Sequence, residues 1–101
     1  MTREVRIRDL YGLGQKSAES LQRIGIFDRA DLERVGPVPA YLQLRMVLQK
    51  PPSLNFLYAM VGALRNQHWS TIDAAEKAAL QMEVEAYVEL ENTGFIGKHK
   101  N

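Results

Sequence analysis

Glycine and proline cut this chain into helix-forming segments too short to be stable alone. Gly12 and Gly14, Gly25, Gly36 with Pro37 and Pro39, and Pro51-Pro52 interrupt the first half at short intervals. A helix under about 12–15 residues is marginal in water, so these segments must bury apolar faces against one another. The spacing of apolar residues between the breaks is helical nearly throughout.

The elements read as follows. Val5, Ile7 and Leu10 form an apolar lead-in of one or two helical turns. The first firm helix begins near Gln15 and runs to about Arg23, with Ala18, Leu21 and Ile24 inward. Gly25 stops it as a left-handed cap, and Ile26 folds back onto its last turn. Asp28 is the N-cap of a second helix, with Asp31 at its third position, Leu32 and Val35 inward and Gly36 at its end. Pro37 and Pro39 open the third helix, which continues through Tyr41, Leu42, Leu44 and Leu48 to the Pro51-Pro52 break. Ser53 caps a fourth helix over about 54–68, apolar on nearly every side and therefore central or facing a partner. Arg65 and His68 fall where cations suit its dipole. Asp73 and Glu76 make a capping-box-like start for a fifth helix, with Ala75, Ala79, Leu80, Val84, Tyr87 and Val88 as its inner stripe. Residues 82–91 also alternate with period two, but no second strand is evident to pair with them, and helix is preferred. From Asn92 onward, Gly94, Gly97 and the lysines read as a frayed tail, residues 92–101. The expectation is all-α: one domain over 1–101, a compact bundle of about five helices.

Composition narrows the function classes. The chain has 101 residues, 46% of them hydrophobic, and no cysteine. Disulfides and thiolate metal sites are thereby excluded, in keeping with a cytoplasmic location. The N-terminus lacks the apolar core of a signal peptide, and no run approaches the ~20 apolar residues of a membrane span. Net charge is +1, but residues 1–50 hold nine basic against six acidic side chains and the remainder four against six. No Gly-x-Ser-x-Gly, phosphate-binding Walker loop or dinucleotide fingerprint occurs. Glu83, Glu85, Glu89 and Glu91 read as the solvated side of a helix. No enzyme activity, cofactor or metal is expected.

The basic half carries the one chemically suggestive motif, Gly12-Leu13-Gly14-Gln15-Lys16. A turn at the start of a helix can aim unpaired amides outward, where partial positive charge favours a phosphate oxygen. Gly12 and Gly14 admit positive φ and close approach of a ligand. Leu13 anchors the turn in the core, Lys16 adds a full charge, and Arg6, Arg8 and Arg23 widen the patch. This is the design of a helix-hairpin-helix turn. The competing reading is a tight turn that serves packing only, with Gly14 admitting the next helix and the arginines solvated or paired with Glu4, Asp9 and the acidic tail.

Several motifs together carry a family resemblance. Gly12-Leu13-Gly14-x-Lys16-Ser17 is followed by Leu21-x-x-Ile24-Gly25-Ile26, Asp31-Leu32-x-x-x-Gly36 and Ala40-Tyr41. Pro52-Ser53-Leu54-Asn55-x-Leu57-Tyr58-Ala59, Gly62-Ala63-Leu64-Arg65 and His68-Trp69 complete the series. In this order the chain resembles, over about residues 9–80, the C-terminal domain of the TfoX/Sxy family of bacterial competence regulators. The resemblance implies a helix-hairpin-helix or SAM-like fold and a part in switching on DNA-uptake genes together with a transcription activator. Full-length members carry a separate N-terminal domain, so the chain reads as a stand-alone copy, with a separate N-terminal-domain protein among its candidate partners.

Two functions of different class follow. One is regulatory and DNA-associated: the Gly12–Lys16 turn binds the backbone of double-stranded DNA weakly and without sequence preference. The other is a protein-interaction or oligomerisation module. There Asn55, Ala59, Gly62 and Asn66, a flat face of the fourth helix, or else the acidic fifth helix, dock a transcription regulator, a separate N-terminal-domain protein or a second copy. His68 and Trp69 are expected to be structural, the indole N–H meeting a carbonyl and the imidazole capping a helix or bonding a loop. Asn55 could instead order the preceding loop.

Overall fold

The computed structural model describes residues 5–92. Five α-helices follow in order: α1 (Gln15–Gln22), α2 (Arg29–Val35), α3 (Pro37–Val47), α4 (Leu54–Leu64) and α5 (Ala74–Asn92). Single 3₁₀ turns at Ile7–Asp9 and Trp69–Thr71 complete the elements. The described residues contain no strand; one isolated antiparallel bridge joins Arg6 to Asp28, supported by the Arg29 amide donating to the Val5 carbonyl at 2.8 Å. The fold is all-α, as the spacing predicts, and residues 82–91 are helical. Asn92 ends α5 rather than opening a tail; 93–101 lie outside the described residues.

One core joins the elements. Leu21, Ile26, Leu32, Leu44, Leu57 and Met60 are fully buried, and Ile7 nearly so. Truncating a side chain in such a place to alanine costs about 2–5 kcal/mol. α4 is the centre, burying every position from Leu57 to Ala63 except Ala59. α5 packs on α3 and buries Val84, with Leu80 and Val88 half-buried. Ala75 and Ala79, expected in its inner stripe, are exposed, as is Tyr87. None of the described helices is long and apolar enough to cross a membrane.

The helix ends explain the path. After α1 the Gly25 amide donates to Gln22 and the Ile26 amide to Leu21, both at 3.0 Å, with Gly25 at φ +83°. This is the Schellman arrangement, and it drives Ile26 onto Leu21. α4 ends the same way at Asn66, φ +58°. Its amide donates to Ala63 at 3.1 Å, and that of Gln67 to Gly62 at 2.8 Å. The fourth helix therefore stops at Leu64, four residues before the expected 68, because Asn66 takes the left-handed position. The expected cations do not sit on its carbonyls. Arg29 reaches across from α2 instead, donating to the carbonyls of Ala63 at 3.4 Å and Leu64 at 2.6 Å. Arg65 is drawn away into a bidentate ion pair with Glu76.

Both aspartate caps form. Asp28 accepts from the Asp31 amide at 2.9 Å, and Asp73 from that of Glu76 at 2.8 Å. The Asp31 carboxylate accepts from the Phe27 amide at 2.9 Å and pairs with Arg34 at 3.0 Å. Ser53 caps α4 without a side-chain bond. Among the described residues the lead-in to the glycine turn is one 3₁₀ turn, Ile7–Asp9.

Acid is expected to weaken the fold. The Phe27 amide and then Arg34 lower the Asp31 pKa, and the hydrogen bond from Arg65 lowers that of Glu76. Carboxylates depressed in the folded state contribute stability above their ordinary range and lose it as pH falls through the folded values. The urea midpoint should decline below about pH 4, and Asp31→Asn should flatten that decline.

Candidate functional site

The residues of the glycine turn are held by the core on one side and open on the other. Leu10 and Leu13 are buried, and the Leu13 amide donates to the Leu10 carbonyl at 3.1 Å. Between them Tyr11 and Gly12 loop outward, Gly12 at φ +84°. Gly14 then takes φ −132° and ψ −162° as N-cap of α1. This is extended backbone open to any residue, not the positive φ expected for it. A Cβ at Gly14 or at Gly12 would meet no atom within 4 Å, so Gly14 does not serve helix packing either.

The donors of the turn are largely unspent. The Ala18 amide bonds the Gly14 carbonyl at 2.9 Å. Those of Gly12, Gly14, Gln15, Lys16 and Ser17 have no acceptor among the described residues. Gly14 has nearly the same backbone angles as Asp28, which sits at φ −146° and ψ 179°. At Asp28 a carboxylate occupies the helix N-terminus; at Gly14 that place is empty of any side chain. The arrangement can accept an oxyanion.

The cations divide. Lys16 lies in the first turn of α1, exposed and without an ion pair among the described residues. Arg6 and Arg8 are likewise exposed and unpaired there, and line a shallow groove along α1 with Gln15, Ala18, Gln22 and Phe27. Neither pairs with Asp9. Arg23 is at the far end of α1, roughly 12 Å along the axis, donating to the Val47 carbonyl at 3.4 Å. It does not join Lys16, and Lys16 does not line the groove that Arg6 and Arg8 share. Glu19, one turn into α1, accepts from the Gln15 side chain at 3.2 Å.

The face of α4 expected to meet a partner is used within the chain. Gly62 is buried, and a Cβ there would lie 2.6 Å from the Gln67 carbonyl oxygen and 3.2 Å from the Trp69 nitrogen. The loop after α4 occupies that place, and Asn66 serves the cap. Asn55 and Asn66 stay exposed and Ala59 is half-buried, so of the four it is Gly62 that the chain itself covers. Asn55 orders no loop, since no hydrogen bond of its side chain forms among the described residues.

That loop carries His68 and Trp69 toward the glycine turn. His68 Nδ1 accepts from the Ser70 amide at 3.1 Å and lies 2.7 Å from its hydroxyl. His68 stacks on Trp69, with centroids 5.5 Å apart, and meets the Tyr11 ring edge-on at 6.1 Å. The indole N–H has no acceptor among the described residues, contrary to expectation. Tyr11 beside His68 and Lys77 over Trp69 are contacts that the sequence gives little means of finding: sequence separation conceals the first, and both depend on the loop folding onto Gly62. Among the described residues no three His, Asp or Glu side chains gather as a metal site.

These features define a small all-helical domain whose N-terminal turn leaves helix-start amides open beside basic side chains. The chain belongs to the TfoX C-terminal domain family, whose model matches residues 3–84. The crystal structure of an uncharacterized protein from Listeria monocytogenes is similar, at TM-score 0.74 and 23% identity, over 96% of this chain and all of that one. At that identity the likeness concerns the fold. No curated protein matches the chain.

Hydrogen exchange by NMR checks the open turn. The amides of Gly14, Lys16 and Ser17 should exchange at rates near those of unfolded chain, and those of Leu21 and Leu57 should be protected.

Proposed function

We propose that this is a non-enzymatic regulatory domain that binds the nucleic-acid backbone through the Gly12–Lys16 turn. The observation that carries this reading is the contrast between Gly14 and Asp28. Two helix starts share one backbone geometry, and the one beside unpaired Lys16 lacks the side chain that would fill it. Arg6 and Arg8 extend the positive surface. Two phosphates neutralised would give a salt slope near −1.8 in log K against log salt, a weak and sequence-blind attachment. Useful affinity then comes from a second copy or a DNA-binding partner such as a transcription regulator. By family membership, competence regulation is the setting this reading favours.

A protein-interaction role keeps one supporting observation. Met82 is 66% exposed in the middle of α5, away from buried Val84. The Gly62 face no longer supports it: Gly62→Leu should unfold the domain by displacing the 67–69 backbone rather than release a partner.

The test turns on opposite signs. Gly14→Asp should raise stability by a few tenths of a kcal/mol through capping and abolish binding to a random duplex at about 20 mM salt, where screening is weak. Lys16→Glu should weaken binding with little effect on the fold. No retardation of the wild-type protein at that salt, or undiminished binding by Gly14→Asp, sinks the reading.

A further inference from the structure

The aromatic contacts beside the turn lie outside the backbone reading. Tyr11 immediately precedes Gly12 and is 51% exposed, and its hydroxyl has no partner among the described residues. Its ring meets His68, itself exposed, and His68 stacks on Trp69 at an interplanar angle of 29°. The ladder is fixed from beneath. Gly62 lets the 67–69 backbone lie against α4, Ser70 holds the His68 ring, and the Thr71 hydroxyl donates to the His68 carbonyl at 2.7 Å. Lys77 Nζ stands 5.0 Å from the Trp69 centroid and 5.5 Å from that of Tyr58. A solvent-facing aromatic surface thus begins in the same loop as the open amides, three residues from Gly14 and so within about 11 Å of it along the chain.

We infer that Tyr11 and His68, backed by Trp69, form a stacking platform for an unpaired base, which makes single-stranded nucleic acid the preferred ligand of this site. The inference rests on the phosphate-binding reading of the turn. Bases inside a duplex are stacked on one another and offer a protein only their edges. A ring beside a phosphate site is of use to a base outside the stack, and every base has a face that can stack. Aromatic stacking beside a positive groove is the general means of holding single strands without sequence preference. Lys77 adds positive charge at the buried end of the ladder.

Trp69 is the sole tryptophan and reports directly on the platform. The wild-type protein, Tyr11→Ala, Tyr11→Phe and Lys16→Glu are titrated with a deoxythymidine oligomer of about 12 nucleotides and with a random duplex of equal length at low salt. The oligomer should change Trp69 emission and bind tighter than the duplex. Tyr11→Ala should weaken the oligomer by about 5- to 100-fold and leave the duplex unchanged, while Tyr11→Phe retains the wild-type preference. Lys16→Glu should weaken both. Equal or tighter duplex binding, or equal losses on both ligands in Tyr11→Ala, overturns the inference and leaves the phosphate turn standing. If neither ligand binds the wild-type protein, the phosphate reading fails and the inference with it.

Discussion

Two left-handed residues decide where α1 and the central α4 stop. At Gly25 and at Asn66 the backbone takes positive φ and closes a Schellman cap. Each reversal places the following residues on the helix just finished: Ile26 onto Leu21, and the 67–69 segment onto Gly62. The first of these contacts seats α1 against the core. The second brings His68 and Trp69 beside Tyr11. Remove either reversal and a helix of about ten residues, too short to persist alone, runs into solvent with its apolar face uncovered.

The same chain treats its helix starts in two ways. Asp28 and Asp73 fill the N-termini of α2 and α5 with carboxylates. Gly14 leaves that of α1 open although its backbone has the Asp28 geometry. A carboxylate there would add stability, so leaving it out costs the fold a capping interaction. Such local departures from what stability favours are expected where a surface has another use. The partial positive charge of the α1 start and Lys16 share one turn, while Arg6 and Arg8 line the groove that runs along α1 from Gln15 to Gln22.

Asp28, Asp73, Gly25 and the proline breaks are legible because each acts on its own neighbours through a bond or a dihedral spanning a few residues. The end of α4 was legible in principle too, since asparagine tolerates the left-handed region, but the apolar run carried the reading past Asn66. What the pattern misplaced was the service of each side chain. Arg65 turned to Glu76 on α5 and Arg29 came from α2 to the α4 carbonyls, because the crossing of the helices, not their sequence, sets which charge is near. The Gly62 face looked free for the same reason.

From its residues alone this chain determined that it is helical, where most of its helices begin and stop, and that residues such as Leu21, Leu32 and Leu44 face the core, for these follow from local torsions and from a period of 3.6. Packing decided the rest. It brought Tyr11 to His68, separated Arg23 from Lys16, and laid the 67–69 backbone over Gly62. Such neighbours are set by how helices cross and loops fold back, and a contact between residues more than fifty positions apart leaves no local torsional or periodic signature in the chain.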